Sequence, residues 1–268
     1  MIFHLIFLLG TALAEDRPPS FDEISEAIRI FNLEARYELP TLNSADLRAL
    51  SEGQVVRILE RATEVGIPSR AVGLLLTDVP PEQVWVSCQD PHFAQNTRVS
   101  EALLEGRDTH HHTWFGLLDL PLPFSDRAWV VDVINNHPLA ISSENRAWEH
   151  YWDLRSDARA LALEAAQEER IPGVGPDRIH SAIFTPTNYG AWVLLSLPNG
   201  YSIIGYHSST GLAGSIPDNL VMPFVHAQLE GMLRDIVERG RVLVFEHYNE
   251  EHEADVIGGD GAPIPRFP

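Results

Sequence analysis

The chain has a single cysteine, Cys88, in 268 residues, so no disulfide within the chain holds its fold. At this length one large domain builds a sizeable core without such staples. A lone thiol of this kind reads as a small buried hydrophobe. Basic residues are scarce too, 19 against 38 acidic ones, for a net charge of −19. A field of that sign repels phosphate backbones and anionic bilayers. It disfavours nucleic acid as a partner and leaves neutral or cationic ligands, with a local basic pocket still able to hold an anion. Apolar runs long enough to span a bilayer are missing, and the 44% hydrophobic and 21% charged residues are those of an ordinary globular protein.

The motifs of common chemistries are missing as well. No Gly-x-Ser-x-Gly elbow surrounds any serine, and no Gly-x-x-x-x-Gly-Lys loop is present. Gly173-Val174-Gly175 runs into Pro176 and does not open a helix around a pyrophosphate. His110-His111-His112 places at most His110 and His112 on one face of a strand, and zinc needs three converging protein ligands. The His247, Glu250, Glu251 and His252 run lacks the second histidine that the inverted zinc motif requires at residue 251. No metal and no cofactor are expected.

What is present begins with a leader. Ile2 to Leu9 is an apolar run of signal-peptide length, followed by Ala12-Leu13-Ala14 and then Glu15-Asp16-Arg17-Pro18-Pro19. Residues 1–14 are read as a signal peptide and the protein as exported, periplasmic or secreted. No cysteine stands at the cleavage point to take a lipid.

Residues 15–68 read as an N-terminal helical extension. Ser20 and Glu23 form a capping box before Phe21, Ile24, Ala27, Ile28 and Phe31. A second helix is expected from Ser44 through Val65, stopped by Gly66 and Pro68, with Gly53 as a break point. Strands are expected over 71–76, 97–105, 111–118, 128–135, 149–154, 179–185, 190–197 and 201–207, with a helical insertion over 159–170. Val221, Phe224, Val225, Leu229, Met232, Leu233 and Ile236 form the apolar stripe of a long closing helix over 218–239. The Gly- and Pro-rich acidic tail, 249–268, is expected to be disordered.

Two segments carry a family resemblance: Pro123-Phe124-Ser125-Asp126-Arg127-Ala128-Trp129-Val130-Val131, and Gly211-Leu212-Ala213-Gly214-Ser215-Ile216-Pro217-Asp218-Asn219-Leu220. With the Gly190 to Leu194 and Tyr201 to Tyr206 hairpin and the Val79-Pro80-Pro81-Glu82-Gln83-Val84-Trp85 entry, they resemble the StAR-related lipid-transfer (START) domain. That domain belongs to the helix-grip, polyketide-cyclase-like group, and the resemblance covers most of the mature chain. The sequence departs from the family at Ser208-Ser209-Thr210, where an acidic residue is usual, and at Arg127-Ala128, where an Arg-Asp pair is usual.

The resemblance implies an α+β helix-grip fold over 69–248, with a curved antiparallel sheet wrapped around a long C-terminal helix. The space between them would hold a lipid or other hydrophobic small molecule, for binding or for transfer. Alternation puts Trp129, Val131, Val133 and Arg127 on one strand face. Trp114, Arg127, Trp129, Trp192 and Tyr206 are therefore candidates for the cavity wall, with Met222, Val225 and Leu229 from the helix. For each tryptophan the competing reading is plain core packing. A transient membrane contact fits this function. A polyketide-cyclase-like or hydrolytic enzyme, using His112, Arg127, Tyr206 and His226 in the same cavity, stays open as the alternative.

Export is checked by N-terminal sequencing of the protein recovered outside the cytoplasm. A mature terminus at Glu15 is the expected result, and a chain beginning at Met1 is the contrary one.

Overall fold

The computed structural model describes residues 17–62, 68–89, 99–108, 111–214, 218–248 and 257–267; the leader lies outside them. Helix α1 (Phe21–Phe31) begins with the reciprocal Ser20/Glu23 capping box. It buries Ile24, Ile28 and Phe31 and leaves its acidic face in water. Helix α2 (Ser44–Ser51) starts on an Asn43 cap, and there the expected helix ends. Gly53 turns the chain at φ +71°, a conformation cheap only without a Cβ. Val56–Glu60 is then strand β1, where a helix through Val65 was expected. Pairing with a neighbouring strand satisfies its backbone, and a helical repeat of apolar residues does not outweigh that. The extension therefore contributes a strand to the main sheet.

The remaining elements follow in order: β2 (Arg70–Thr77), α3 (Pro81–Gln89), β3 (Val99–Asp108), β4 (His111–Leu118), β5 (Arg127–Asn135), α4 (His137–Ser142), β6 (Ala147–Leu154) and α5 (Ala158–Gln167). Then come α6 (Pro176–Ser181), β7 (Ile183–Phe184), β8 (Thr187–Ser196), β9 (Ser202–Gly211) and α7 (Asp218–His247). The strand expected over 179–185 begins inside helix α6, which takes 179–181, leaving β7 two residues that pair in parallel with β5. Among the described residues the strands form one sheet in the order β1-β2-β9-β8-β6-β5-β4-β3, antiparallel throughout this path. The expected helix-grip architecture is present.

Both faces of the sheet are used. On the convex side, α1 and α2 cover Val72, Leu74, Val193, Leu195 and Ile203. Helices α5 and α6 cover Ala102, Phe115, Leu117, Ala128 and Val130 through Ala158, Ala162, Ala165 and Ile179. Alanines on α5 allow it to lie close to the sheet. On the concave side, α3 and α7 pack together, α7 onto β2 and β9 and α3 onto β8. Leu229, Leu233 and Ile236 are fully buried there, each stabilising the contact by about 2 kcal/mol. Gly73 of β2 makes the approach close: a Cβ on it would stand 3.0 Å from a Leu233 methyl and 3.2 Å from the Leu229 Cβ.

The tail departs from the expected disorder. Residues 257–267 fold back on the domain, with a bridge between Ile257 and Pro263 and a hydrogen bond from the Phe267 amide to the Tyr248 carbonyl. The indole of Trp85 donates to the Ile257 carbonyl at 3.0 Å. Gly259 lies flat against Trp148, where a Cβ would come within 2.4 Å of the ring. Glycine composition signals flexibility in isolation, yet here glycine is what lets backbone stack on an indole. A chain ending at Tyr248 is therefore expected to melt roughly 5 °C lower, with red-shifted tryptophan emission as Trp85 and Trp148 meet water. An unchanged melting temperature and emission would count against this packing.

Candidate functional site

The strand registers define the concave surface. One row runs Asn135, His150, Trp192, Tyr206, Gly73 across β5, β6, β8, β9 and β2. A second runs Glu101, Gly116, Trp129 across β3, β4 and β5, and a third runs Leu103, Trp114, Val131, Leu154. Cross-strand partners share a face, so all these side chains project to the side on which α7 lies.

Two of the tryptophans lie flat on the sheet because glycine faces them. A Cβ on Gly116 would sit 2.2 Å from the Trp129 ring, and one on Gly190 would sit 2.4 Å from the Trp152 ring. At Gly190 the His207 carbonyl would also be only 2.2 Å away, so any side chain there collides with backbone.

Filling is uneven along this surface. Over β2, β8 and β9, the residues Leu75, Trp192, Leu194 and Ile204 form a packed core with Leu233, Ile236 and Val237 of α7 and Val84 and Trp85 of α3. Over β3 to β5 the wall is accessible: Leu103 is 49% exposed, and Trp114 and Trp129 are only partly buried although they stand on interior strands. Large apolar side chains in the middle of a sheet reach water only where nothing packs on them. Among the described residues none of these three side chains joins a packed apolar cluster, which makes a hollow over this half the candidate recess.

Glu101 of β3 and Tyr206 of β9 are five strand steps apart, roughly 24 Å along a flat sheet. The Glu101 charge nonetheless adds to the rise in the Tyr206 pKa, behind the larger effect of burial and against a hydrogen bond with Ser208. Glu101 is reached by water, and its pKa is nevertheless raised by burial. Tyr206 packs against Trp192 at 4.7 Å and Trp152 at 5.6 Å between ring centroids. Trp152 donates its indole N–H to the Asn188 Oδ1 at 3.0 Å. His150 shares a 2.5 Å hydrogen bond between its Nδ1 and the Asn135 Oδ1. Burial pushes it down to about 4, with repulsion from His112 adding to the effect.

The residues singled out from sequence separate into three groups. Trp114, Trp129 and Tyr206 face the hollow or its inner end. Trp192, Met222 and Leu229 are packed: Trp192 is 8% exposed, and Met222 and Leu229 are fully buried against Ala71 of β2 with Val225 at the margin. Their apolar stripe is spent on holding the helix to the sheet. Arg127 forms the third group. It is 1% exposed and donates to the carbonyls of Ser125, Leu212 and Ala213, which makes it a clamp between β5 and the β9–α7 link. It shares the face of Trp129, as alternation required, but its donors are turned away from any ligand.

Sequence reasoning passed over Glu101, whose charge within a strand reads as solvent-facing until the β3–β4 register shows its neighbour to be Gly116. Of the three adjacent histidines, His110 lies outside the described residues. His111 meets Asp132 on the convex side at 3.3 Å, while His112 faces inward. Among the described residues no three His, Cys, Asp or Glu side chains converge for a metal. A separate, open cleft of about 560 Å³ lies between Gly53, Asp78, Arg234 and Arg241. Its arginines are already paired with Glu230 and Asp78, and no tryptophan lines it, so the hollow is the candidate site.

No protein-family model and no curated protein matches the chain. Among solved structures it is similar to a STAR-related lipid transfer protein (fragment 25–204) from Xanthomonas axonopodis, with 18% identity, 71% of this chain and 94% of that chain covered, and a TM-score of 0.51. It is also similar to human STARD10, with 10% identity, 78% and 84% covered, and a TM-score of 0.52. At these identities the likeness is one of fold: the chain has the START-type helix-grip fold.

Two histidines, His207 fully buried and His150 partly buried, set a pH dependence. Burial holds His150 at about 4, and burial with repulsion from Arg70 holds His207 at about 3. Neither ring nitrogen of His207 has a hydrogen-bonding partner among the described residues. Both folded values lie below the unfolded value near 6.5, so the unfolded chain takes up protons first. Stability is full above about pH 6.5 and falls as pH drops toward 4, by about 2 kcal/mol per histidine at pH 5. Denaturant unfolding of the wild type and of His207→Phe at pH 8 and pH 5 should show a shallower loss in the variant. Equal losses would contradict the assignment.

Proposed function

We propose that this chain, with its START-type helix-grip fold, binds a lipid or other hydrophobic small molecule in the hollow over β3 to β5. The observation that carries this reading is the partly water-exposed apolar wall of Trp114 and Trp129 on interior strands and Leu103 on the edge strand β3, in a sheet whose other half is densely packed. Leaving that surface in water costs about 25 cal/mol per Å², and a ligand of matching shape recovers it. The similar solved structure titled a STAR-related lipid transfer protein supports the same reading. Trp114 and Trp129 supply broad, rigid contact area with one N–H each, and Tyr206 supplies a protonated phenol at the inner end. The role assigned is binding, with no covalent step. Export and release to a membrane are part of the same proposal: a carrier outside the cytoplasm would load and unload at a bilayer by a brief contact.

Leu103→Arg tests the site without touching the core, since this side chain is already half in water. The variant is expected to keep its melting temperature and to lose at least tenfold in affinity for an apolar fluorophore, followed by tryptophan quenching. Native mass spectrometry of the wild type should show a bound hydrophobic molecule or its uptake from micelles. A wild type that takes up nothing, or a Leu103→Arg variant with undiminished uptake, would remove the reading.

A further inference from the structure

The hollow has a charge pattern of its own. Glu101 is the cross-strand neighbour of Gly116, and the ring of Trp129 lies over that glycine. Trp114 stands two residues along β4 from Gly116 and projects to the same side. The register thus sets Glu101 on the same face as the two indoles and beside the strands that carry them. Among the described residues no cation pairs with it. The arginine that shares this face, Arg127, is committed to backbone carbonyls, and His150 is held neutral and bonded to Asn135.

Resting on the reading of the hollow as a binding site, we propose that its ligand is an amphiphilic amine: a hydrocarbon body carrying a protonated aliphatic ammonium seated between the Glu101 carboxylate and the faces of Trp114 and Trp129. Three features of the wall favour that head over a neutral or anionic one. The carboxylate accepts N–H bonds and pairs with the charge, and charge-assisted bonds are the stronger kind. Indole faces attract cations within about 6 Å, more strongly as water leaves. Burial without a partner disfavours the charged carboxyl, and a cationic ligand relieves that cost where an alcohol relieves less and a fatty acid adds repulsion. The net charge of −19 draws cations toward the protein and repels carboxylates, which works in the same direction at long range.

The test uses three probes with one tail, dodecylamine, dodecanol and dodecanoate, each below its micellar concentration at pH 7.4 and 150 mM salt. Binding is read by tryptophan quenching and calorimetry on the full mature chain. The amine is expected to bind at least tenfold more tightly than the alcohol, and the carboxylate most weakly. In Glu101→Gln the amine should fall to within about threefold of the alcohol while alcohol binding stays unchanged, which also shows that the variant is folded. Glu52→Gln, an exposed acid outside the hollow, controls for net charge. Equal binding of amine and alcohol to the wild type overturns the proposal. So does a preference that survives in Glu101→Gln, or one that Glu52→Gln reduces equally. If none of the three probes binds, the binding reading itself fails, and the proposal fails with it.

Discussion

Arg127 occupies a position on which several other parts of the molecule depend. Its guanidinium is buried at the start of β5 and reaches the carbonyls of Leu212 and Ala213 in the link that leads from β9 into α7. That link turns through left-handed backbone at Ala213, φ 55°, and Gly214, φ 67°, and a Cβ on Gly214 would stand 3.1 Å from the guanidinium. The clamp fixes where the link leaves the sheet. A planar fork with several donors holds two successive carbonyls at once, which a lysine ammonium does less well. The chain repeats the device: all 19 basic residues are arginines. Arg159 holds the carbonyls of Ile179 and Ala182, Arg170 that of Leu104, and Arg70 that of Glu38. Irregular connections thereby keep their backbone acceptors satisfied.

With the helix placed, glycine decides how closely things approach the concave face. Gly73 admits the leucines of α7, while Gly116 and Gly190 each admit an indole lying flat. The packed half and the hollow half arise from the same sheet by this choice of what lies on each glycine. Over β2 the helix fills the space. Over β4 a tryptophan lies down instead of standing up, which lowers the floor and leaves room above it. The hollow is thus built by side chains that take up little height.

The opposite face anchors the N-terminal segment through a buried carboxylate. Glu149 is fully buried and accepts from the Arg36 amide at 2.8 Å and from the Asn136 side chain at 2.7 Å. Burial raises its pKa, and these hydrogen bonds work against that rise. Tyr37 and Arg36 meet Asp153 nearby, and the Tyr37 ring stacks on Tyr189 at 4.6 Å. Helices α1 and α2 thereby cover the convex side of the sheet.

By itself the sequence determined the long closing helix, the capped first helix, most of the strands and the face of Trp129, because these follow from local periodicity and capping. It also carried the resemblance that named the fold. Tertiary structure alone decided the rest. Val56–Glu60 pairs as a strand because a partner edge is available at β2, and residues 257–267 are ordered because Trp85 and Trp148 offer a surface for glycine backbone. Arg127 became a clamp and Leu229 a packing residue because of what stands opposite them, which alternation within one strand or helix does not report. Glu101 entered the site only through register: on a single strand it is a charged residue facing one of two sides, and the neighbouring strands determine that this side is the hollow.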